Sequence, residues 1–210
     1  MATPLLKVDQ VAKQYTRGLL RREVTFSLAA DFVVEEPTVV GVMGPNGSGK
    51  TTLFELMTGS NLPSAGRVLV AGQDIHQVRT GERDRLAVHY HQSYQVRHFQ
   101  RRKPDAMLQR AGGTSPLVHL FDEPQFNTQD GYIGFMLDFF ARLRREGRVV
   151  FLCLHPNEPV HIEILRQACE RFVFVHKGVV TQAAGWEELV GDEKVRGYLG
   201  ALVDVNPSHA

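Results

Sequence analysis

The sequence predicts an α/β fold in which a mainly parallel sheet is flanked by helices and joined to an N-terminal antiparallel β subdomain. Two β-rich segments open the chain, around Leu5–Val11 and Val24–Val34, and the second alternates partly in polarity, as a half-exposed antiparallel strand does. Four later apolar runs are continuous, which is typical of strands buried on both faces of a parallel sheet. These runs are Thr38–Met43, Leu117–Phe121, Val149–Leu154 and Phe172–Val175.

Helical patterns separate these runs. Thr38–Met43 ends in a glycine-rich turn that leads into a predicted helix at Lys50–Thr58. The segments on either side of Val149–Leu154 each carry an apolar stripe at helical spacing. The stripes are Ile133, Met136, Leu137, Phe140 and Leu143, and then Ile164, Leu165 and Ala168. Because strands alternate with helices, we expect the sheet to be parallel and covered on both faces.

The bulk composition predicts one globular domain over residues 1–200, followed by a C-terminal tail at 201–210. The 210 residues include 24 basic and 23 acidic side chains, which gives a formal net charge of +1 and no general attraction to nucleic acid or to an anionic membrane surface. No apolar stretch approaches the roughly 18–20 residues of a membrane-spanning helix, so we expect no direct membrane insertion. Cys153 and Cys169 lie in apolar segments, which favours a reducing, cytoplasmic location, with membrane association only through a partner.

A glycine-rich segment at 44–51 reads Gly-Pro-Asn-Gly-Ser-Gly-Lys-Thr and fits the phosphate-loop pattern G-x-x-x-x-G-K-[ST]. The glycines allow backbone N–H groups to point at phosphate oxygens, the lysine can reach the β- and γ-phosphates, and the threonine hydroxyl can ligate Mg²⁺. The pattern therefore predicts that the chain binds ATP together with Mg²⁺. The residues expected to contact the nucleotide are Gly44, Pro45, Asn46, Gly47, Ser48, Gly49, Lys50, Thr51 and Thr52.

Two carboxylates follow the apolar run Leu117–Phe121. Asp122 comes at the end of this predicted strand, where a direct or water-mediated partner of the Mg²⁺ is needed, beside the ligand Thr51. Glu123 is then placed to polarise an attacking water as a general base. An Asp-Glu pair alone is often a solvated turn, but the buried strand before it favours the functional interpretation.

The segment Gly44–Thr52, together with an apolar strand that ends in Asp122-Glu123-Pro124, resembles the ATP-binding cassette (ABC) family. The resemblance covers about Leu5 to Gly200 and implies an ATPase with the P-loop NTPase fold. It also implies three further site residues. Tyr15 corresponds to an aromatic that stacks on adenine. Gln92, with Gln95 as a competing candidate, corresponds to a lid glutamine that contacts Mg²⁺ and the attacking water, and His155 corresponds to a switch histidine that contacts the γ-phosphate.

The chain departs from the family in the segment before Asp122. Only 30 positions separate Gln92 from Asp122, far fewer than in the family, and no signature of the Leu-Ser-Gly-Gly-Gln type is present. Gly112-Gly113 lies too close to Asp122 to serve as that signature. The family resemblance therefore implies that the helical subdomain, which carries the signature and docks on a permease, is largely deleted. A basic connector, Arg97–Pro104, stands in its place.

Two other features receive a structural interpretation. His89 and His91 alternate on a predicted strand, but no third metal ligand is close in sequence, so packing or surface exposure is favoured over a metal pair. Arg97–Lys103 lacks interleaved aromatics beyond Phe99, so we expect a solvated connector and no nucleic-acid partner. The segment Glu193–Gly200 resembles the ending of the branch that serves branched-chain amino-acid and lipopolysaccharide exporters.

Three functional hypotheses follow. The first is a Mg²⁺-dependent ATPase, with Glu123, His155 and Gln92 as catalytic residues and with slow or partner-dependent hydrolysis because the signature is absent. The second is a non-hydrolysing, ATP-dependent switch or assembly module. The third is an atypical ATP-binding subunit of an ABC transporter. The expected partners are the nucleotide and a dimer mate, either a second copy or a signature-bearing ABC subunit, while a permease contact would have to form without the docking subdomain.

Overall fold

A computed structural model describes residues 3–18, 23–91, 116–124 and 132–204. Its strands are β1 Leu6–Arg17, β2 Glu23–Val34, β3 Val39–Met43, β4 Ala65–Val70, β5 Gln73–Asp74, β6 Ala87–His91, β7 Val118–Asp122, β8 Val149–Cys153, β9 Arg171–His176 and β10 Val179–Ala183. Its helices are α1 Lys50–Met57, α2 Thr80–Leu86, α3 Tyr132–Arg145, α4 Pro159–Ala168, α5 Trp186–Gly191 and α6 Glu193–Leu199, followed by a 3₁₀ turn at Gly200–Asp204.

The strands form one mixed sheet in the order β5-β4-β1-β2-β10-β9-β3-β8-β7-β6. Strands β9, β3, β8, β7 and β6 run parallel to one another. Every residue of β3, β7 and β8 is buried, which explains why these strands are continuous apolar runs in the sequence. The predicted α/β fold with a mainly parallel sheet is confirmed.

The N-terminal antiparallel subdomain consists of β1, β2, β4 and β5. Strand β1 extends six residues beyond the predicted end at Val11 and reaches Arg17. This extension pairs with β2 and places Tyr15 opposite Phe26. Strand β10 joins the two parts of the sheet, because it is antiparallel to β9 and contacts β2 in parallel at Val179 and Ala29.

Two apolar cores cover the two faces of the sheet. On β3, Val40 and Val42 point into the core around α1, whereas Val39 and Met43 point into the core around α3 to α6. The predicted stripe of α3 is buried at Met136, Phe140 and Leu143, and Phe139 is buried with it. On α4, Ile164 and Leu165 are buried in the same core, so both predicted helical stripes face the sheet. Within the described ranges, no helix is long and apolar enough to cross a membrane.

Several sequence predictions lie outside the described residues. They concern Gln92, Gln95, the connector Arg97–Pro104, Gly112-Gly113 and the loss of the helical subdomain.

Candidate nucleotide-binding site

The loop between β3 and α1 packs so tightly that two of its positions accept only glycine. Gly44 has φ 148°, and a Cβ there would lie 2.0 Å from the carbonyl oxygen of Val175 on β9. Gly49, the N-cap of α1, has φ 112°, and its Cβ would lie 2.6 Å from Leu28 on β2. At both positions the loop backbone thus lies close against the sheet. Helix α1 then begins at Lys50, with its N-terminus at the cleft.

Lys50 lies inside the curl of this loop. Its side chain is largely buried, and Nζ donates to the carbonyl oxygens of Gly44 at 2.7 Å and Pro45 at 3.0 Å. The Ser48 hydroxyl is also buried, and it makes no hydrogen bond within the part of the chain that the structure describes. A buried ammonium beside an unpaired hydroxyl and the first N–H groups of a helix is a suitable set of groups for phosphate oxygens.

Strand β7 brings Asp122 to the loop. The Thr51 hydroxyl donates to Asp122 Oδ2 at 3.1 Å, and His89 Nε2 lies 3.3 Å from the same oxygen. A hydroxyl and a carboxylate are the oxygen ligands that Mg²⁺ prefers, and they meet here at the start of α1. The donor set therefore fits the magnesium ion that the sequence predicts at Thr51 and Asp122.

Asp122 is mostly buried, and its immediate neighbours keep it ionised. Burial acts to raise the pKa of Asp122, but the hydrogen bond and charge of His89, with hydrogen bonds from Thr51 and Cys153, bring this pKa below its usual value. Conversely, burial and the nearby Asp122 raise the pKa of the Cys153 thiol. Asp122 thus presents a negative charge, and Cys153 beside it remains neutral.

Glu123 turns away from the strand into the cleft. It has φ 50°, uncommon for a residue with a side chain, and its N–H donates to the Cys153 carbonyl oxygen at 3.0 Å. Its side chain is exposed and lines the cleft that the loop opens on. A carboxylate held there by a fixed backbone can approach a water beside the terminal phosphate.

The cleft has a volume of about 470 Å³, and the antiparallel subdomain forms its other wall. Its lining residues are Tyr15, Thr25, Phe26, Asn46, Gly47, Gly49, Lys50, Thr51, Thr52 and Glu123. Tyr15 is 38% exposed, and its hydroxyl accepts a hydrogen bond from Asn61 Nδ2 at 2.7 Å. The ammonium of Lys13 lies 5.1 Å from the centre of the Tyr15 ring. The structure therefore places an oriented aromatic ring in the same cleft as the loop.

His155 comes just after β8, two positions beyond Cys153, but it is not among the residues that line the cleft. Its Nδ1 lies 2.9 Å from the hydroxyl of Tyr198 on α6. Of the residues predicted for the site, the structure thus brings Tyr15, the loop and Glu123 into one cleft, with Asp122 bonded to Thr51 behind it. Gln92 lies outside the described residues.

Sequence reasoning missed three polar contacts of the site residues. His89 was interpreted as a packing or surface residue, yet it contacts Asp122. In the parallel register of β6 with β7, position 91 pairs with Asp122. His89, two residues earlier on β6, therefore lies on the same face of the sheet as Asp122. Asn61 and Tyr198 carry no local signal, because each meets its partner across a long sequence separation.

A glycine loop encloses a buried lysine, next to a strand that ends in a carboxylate bonded to the loop threonine. This arrangement is characteristic of the P-loop NTPase fold. Comparisons with known proteins show what this chain is similar to. Residues 29–114 match the family profile described as ABC transporter. This match covers about two fifths of the chain, so it is a similarity of that segment to the ABC family.

Two curated relatives show the extent of the sequence match. The lipoprotein-releasing system ATP-binding protein LolD of Xylella fastidiosa (strain 9a5c) is 36% identical over 83 residues, which are 40% of this chain and 34% of that protein. The lipopolysaccharide export system ATP-binding protein LptB of Acidithiobacillus ferridurans is 35% identical over 86 residues, or 41% and 33% of the two chains. The match thus spans about a third of the length of these relatives.

Solved structures match over much more of the chain. The ADP conformation of MJ1267, an ATP-binding cassette of an ABC transporter, has a TM-score of 0.69 at 18% identity, covering 94% of this chain and 99% of that one. A dimeric post-hydrolysis state of the ATP-binding cassette MJ0796, bound to ADP and Pi, has a TM-score of 0.62 at 16% identity, covering 85% and 98%. At these identities the likeness shows the fold.

Proposed function

We propose that the chain binds Mg²⁺-ATP in the cleft and hydrolyses it, with Glu123 as the general base. The observation that carries the proposal is the bond between Thr51 and Asp122, which sets a Mg²⁺ donor pair at the loop that holds Lys50. Glu123 follows Asp122 directly and faces the same cleft. A phosphate anchor, a metal donor pair and a base are therefore adjacent, as phosphoryl transfer to water requires.

Each side chain has a distinct task in this proposal. The loop N–H groups and Lys50 bind the phosphates, Tyr15 stacks on the adenine, and Thr51 and Asp122 hold Mg²⁺. The ion, when bound, neutralises charge on the phosphate oxygens. Glu123 accepts a proton from the attacking water, Gln92 contacts the ion and that water, and His155 donates to the terminal phosphate.

We further propose that hydrolysis by the isolated chain is slow and depends on a partner. The sequence between Gln92 and Asp122 contains no signature of the Leu-Ser-Gly-Gly-Gln type, which in this family closes over the ATP of the opposite subunit. A signature-bearing ABC subunit would supply the missing donors to the transferring phosphoryl group. The names of LolD and LptB favour an ATP-binding subunit of a transporter, associated with a membrane through its partner.

The test combines nucleotide binding with turnover. Purified protein is titrated with a fluorescent ATP analogue in the presence of Mg²⁺, and phosphate release is measured for the native chain and for Glu123→Gln and Lys50→Ala. We expect binding that Lys50→Ala weakens at least about 10-fold, and slow turnover that Glu123→Gln abolishes.

Other results would change the conclusion. Equal turnover by the native chain and Glu123→Gln would remove Glu123 as the base. Tight ATP binding with an ATP-dependent change of oligomeric state and no turnover would favour the switch or assembly module. The absence of a signature from the sequence also favours this alternative. No binding at all would overturn the proposal.

A further inference from the structure

Helix α6 places the side chain of Tyr198 beside His155, at the end of strand β8. The hydroxyl of Tyr198 lies 2.9 Å from Nδ1 of His155, although 43 residues separate them in sequence. The two rings have their centroids 5.9 Å apart, and the Tyr198 ring also packs 5.7 Å from that of Phe174 on β9. A half-buried hydrogen bond thus ties α6 to the histidine that follows β8.

Helix α6 is anchored well enough to hold this phenol in place. Val195 and Leu199, which flank Tyr198 in the helix, are buried in the core around α3 to α6. Asp192 caps the helix by accepting a hydrogen bond from the Lys194 N–H at 2.7 Å, and Arg196 Nε donates to the Val190 carbonyl oxygen. The position of the Tyr198 hydroxyl is therefore set by packing, independently of any ligand.

The surroundings of the phenol keep Tyr198 in the protonated form that can donate this hydrogen bond. Burial raises the pKa of Tyr198 to about 12, the nearby Cys153 and Glu123 act in the same direction, and only the Gly44 backbone N–H opposes them. Tyr198 therefore keeps its proton at neutral pH. The protonated phenol can therefore donate its hydroxyl proton to His155 Nδ1, 2.9 Å away.

We propose that Tyr198 is a positioning residue that holds His155 with Nδ1 as a hydrogen-bond acceptor. A neutral imidazole whose Nδ1 accepts carries its proton on Nε2. His155 then presents an N–H at its far side, which is the form able to donate to a phosphate oxygen. The proposed tautomer is argued from the Tyr198–His155 contact and the protonated phenol, whereas the use of Nε2–H on the γ-phosphate rests on the proposed function.

The contact also makes the histidine dependent on the position of α6. Movement of α6 away from β9 would withdraw the Tyr198 hydroxyl from Nδ1 and free the ring to take either tautomer. Helix α6 therefore helps to fix the orientation of the His155 ring.

The tautomer can be read directly without nucleotide. In protein labelled with ¹⁵N-histidine, long-range ¹H–¹⁵N spectra above pH 7.5 distinguish protonated from unprotonated ring nitrogens, and loss of one signal set in His155→Gln assigns His155. We expect an unprotonated Nδ1 and a protonated Nε2 in the native chain, and a shift toward mixed tautomers in Tyr198→Phe. A protonated Nδ1 in the native chain, or an unchanged spectrum in Tyr198→Phe, would overturn the proposal whether or not ATP is hydrolysed.

Kinetics test the consequence for catalysis. We expect Tyr198→Phe to lower kcat at least about 10-fold with KM within about 2-fold, because outer partners that orient a histidine typically contribute that much. Tyr90→Phe is a matched control, since it removes a hydroxyl 3.1 Å from Nδ1 of His119, which lies in a buried aromatic cluster. Equal kcat values for native chain and Tyr198→Phe, in an active preparation, would refute the positioning role.

Discussion

His89 and Thr51 approach the same carboxylate oxygen of Asp122 from two different elements. Thr51 approaches from α1 and His89 from β6, at 3.1 Å and 3.3 Å from Oδ2. His89 is held in turn by the ring of Phe54, which meets it edge-on with centroids 5.5 Å apart. A metal-binding carboxylate that is fixed by an outer hydrogen bond loses less entropy when it takes up the ion.

We therefore expect His89→Phe to weaken Mg²⁺-dependent nucleotide binding. Phenylalanine keeps an aromatic ring beside Phe54 but has no N–H for Asp122. The Mg²⁺ concentration needed for half-maximal binding of a fluorescent ATP analogue should rise about 10-fold. Nucleotide affinity without Mg²⁺ should stay within about 2-fold, because Lys50 and the loop are untouched. His161→Phe, the same change on α4, is the control, and an unchanged Mg²⁺ requirement in His89→Phe would contradict the role.

The loop responds to substitution according to the space around each glycine. In Gly44→Ala the new Cβ would lie 2.0 Å from the Val175 carbonyl oxygen, so the loop or β9 has to move. Gly47 also has a positive φ of 74°, but an added Cβ would meet nothing within 4 Å among the described residues. We expect Gly44→Ala to cost about 3 kcal/mol or more of unfolding free energy and to abolish nucleotide binding. Gly47→Ala should cost about 1 kcal/mol, from backbone strain alone.

Urea unfolding and fluorescent-nucleotide titration of both variants check this difference. Equal destabilisation by Gly44→Ala and Gly47→Ala would show that the close contact with Val175 does not constrain the loop.

At the scale of elements, β7 separates two chemical environments on its two faces. Asp122 faces α1 and the loop, whereas His119 and Phe121 face the core around α3 to α6. His119 stacks against Phe121 and Tyr90 with interplanar angles of 4° and 11°. Burial lowers the pKa of His119 to about 4, and the charge of Arg148 acts in the same direction, against a backbone hydrogen bond at Pro116. The histidine is therefore neutral inside this cluster.

This depressed pKa makes stability fall on mild acidification. Between about pH 6.5 and 4, the unfolded chain binds a proton at His119 that the folded chain does not, so unfolding becomes more favourable as pH falls through that window. This lowering of the pKa corresponds to about 3 kcal/mol of unfolding free energy. His119→Phe should flatten the dependence of unfolding free energy on pH in this range.

Chemical denaturation at several pH values measures the effect. Val118→Ala, the neighbouring core position on β7, is the control and should lower stability by a similar amount at every pH. A pH dependence in His119→Phe that is as steep as in the native chain would show that other groups cause the acid sensitivity.

The elements differ in how far the sequence determines them. Strands β3, β7 and β8 are buried on both faces, so their apolar runs predict them almost to the residue. The second half of β1, through Tyr15 and Arg17, is polar and exposed, and it exists because β2 pairs with it. The loop and Asp122 were predictable because their spacing is local. The contacts of His89, Asn61 and Tyr198 were not, since they depend on strand register or on the packing of distant helices.

At the scale of the whole molecule, the cleft lies between the two parts of the sheet. Tyr15, Thr25 and Phe26 come from the antiparallel subdomain, and Lys50, Thr51 and Glu123 come from the parallel part. An ATP molecule that spans the cleft would contact both parts. Binding to the folded state alone should then stabilise the chain by about 2.7 kcal/mol at a ligand concentration 100 times Kd.

The chain should remain a monomer under conditions in which the proposed site is filled. Glu123→Gln keeps the proposed ATP ligands but lacks the proposed base, so Mg²⁺-ATP should accumulate uncleaved in the cleft. A second copy has no signature to place over this ATP, so saturating Mg²⁺-ATP should leave the mass unchanged in light scattering after size-exclusion chromatography.

A signature-bearing ABC subunit can supply the missing donors, so mixing should produce an ATP-dependent heterodimer. In that heterodimer the native chain should hydrolyse ATP faster as the partner concentration rises. Lys50→Ala, which has lost its phosphate anchor, is the control and should form no heterodimer. An ATP-dependent homodimer of Glu123→Gln would instead mean that residues of this chain replace the signature, and the dependence on a different partner would be wrong.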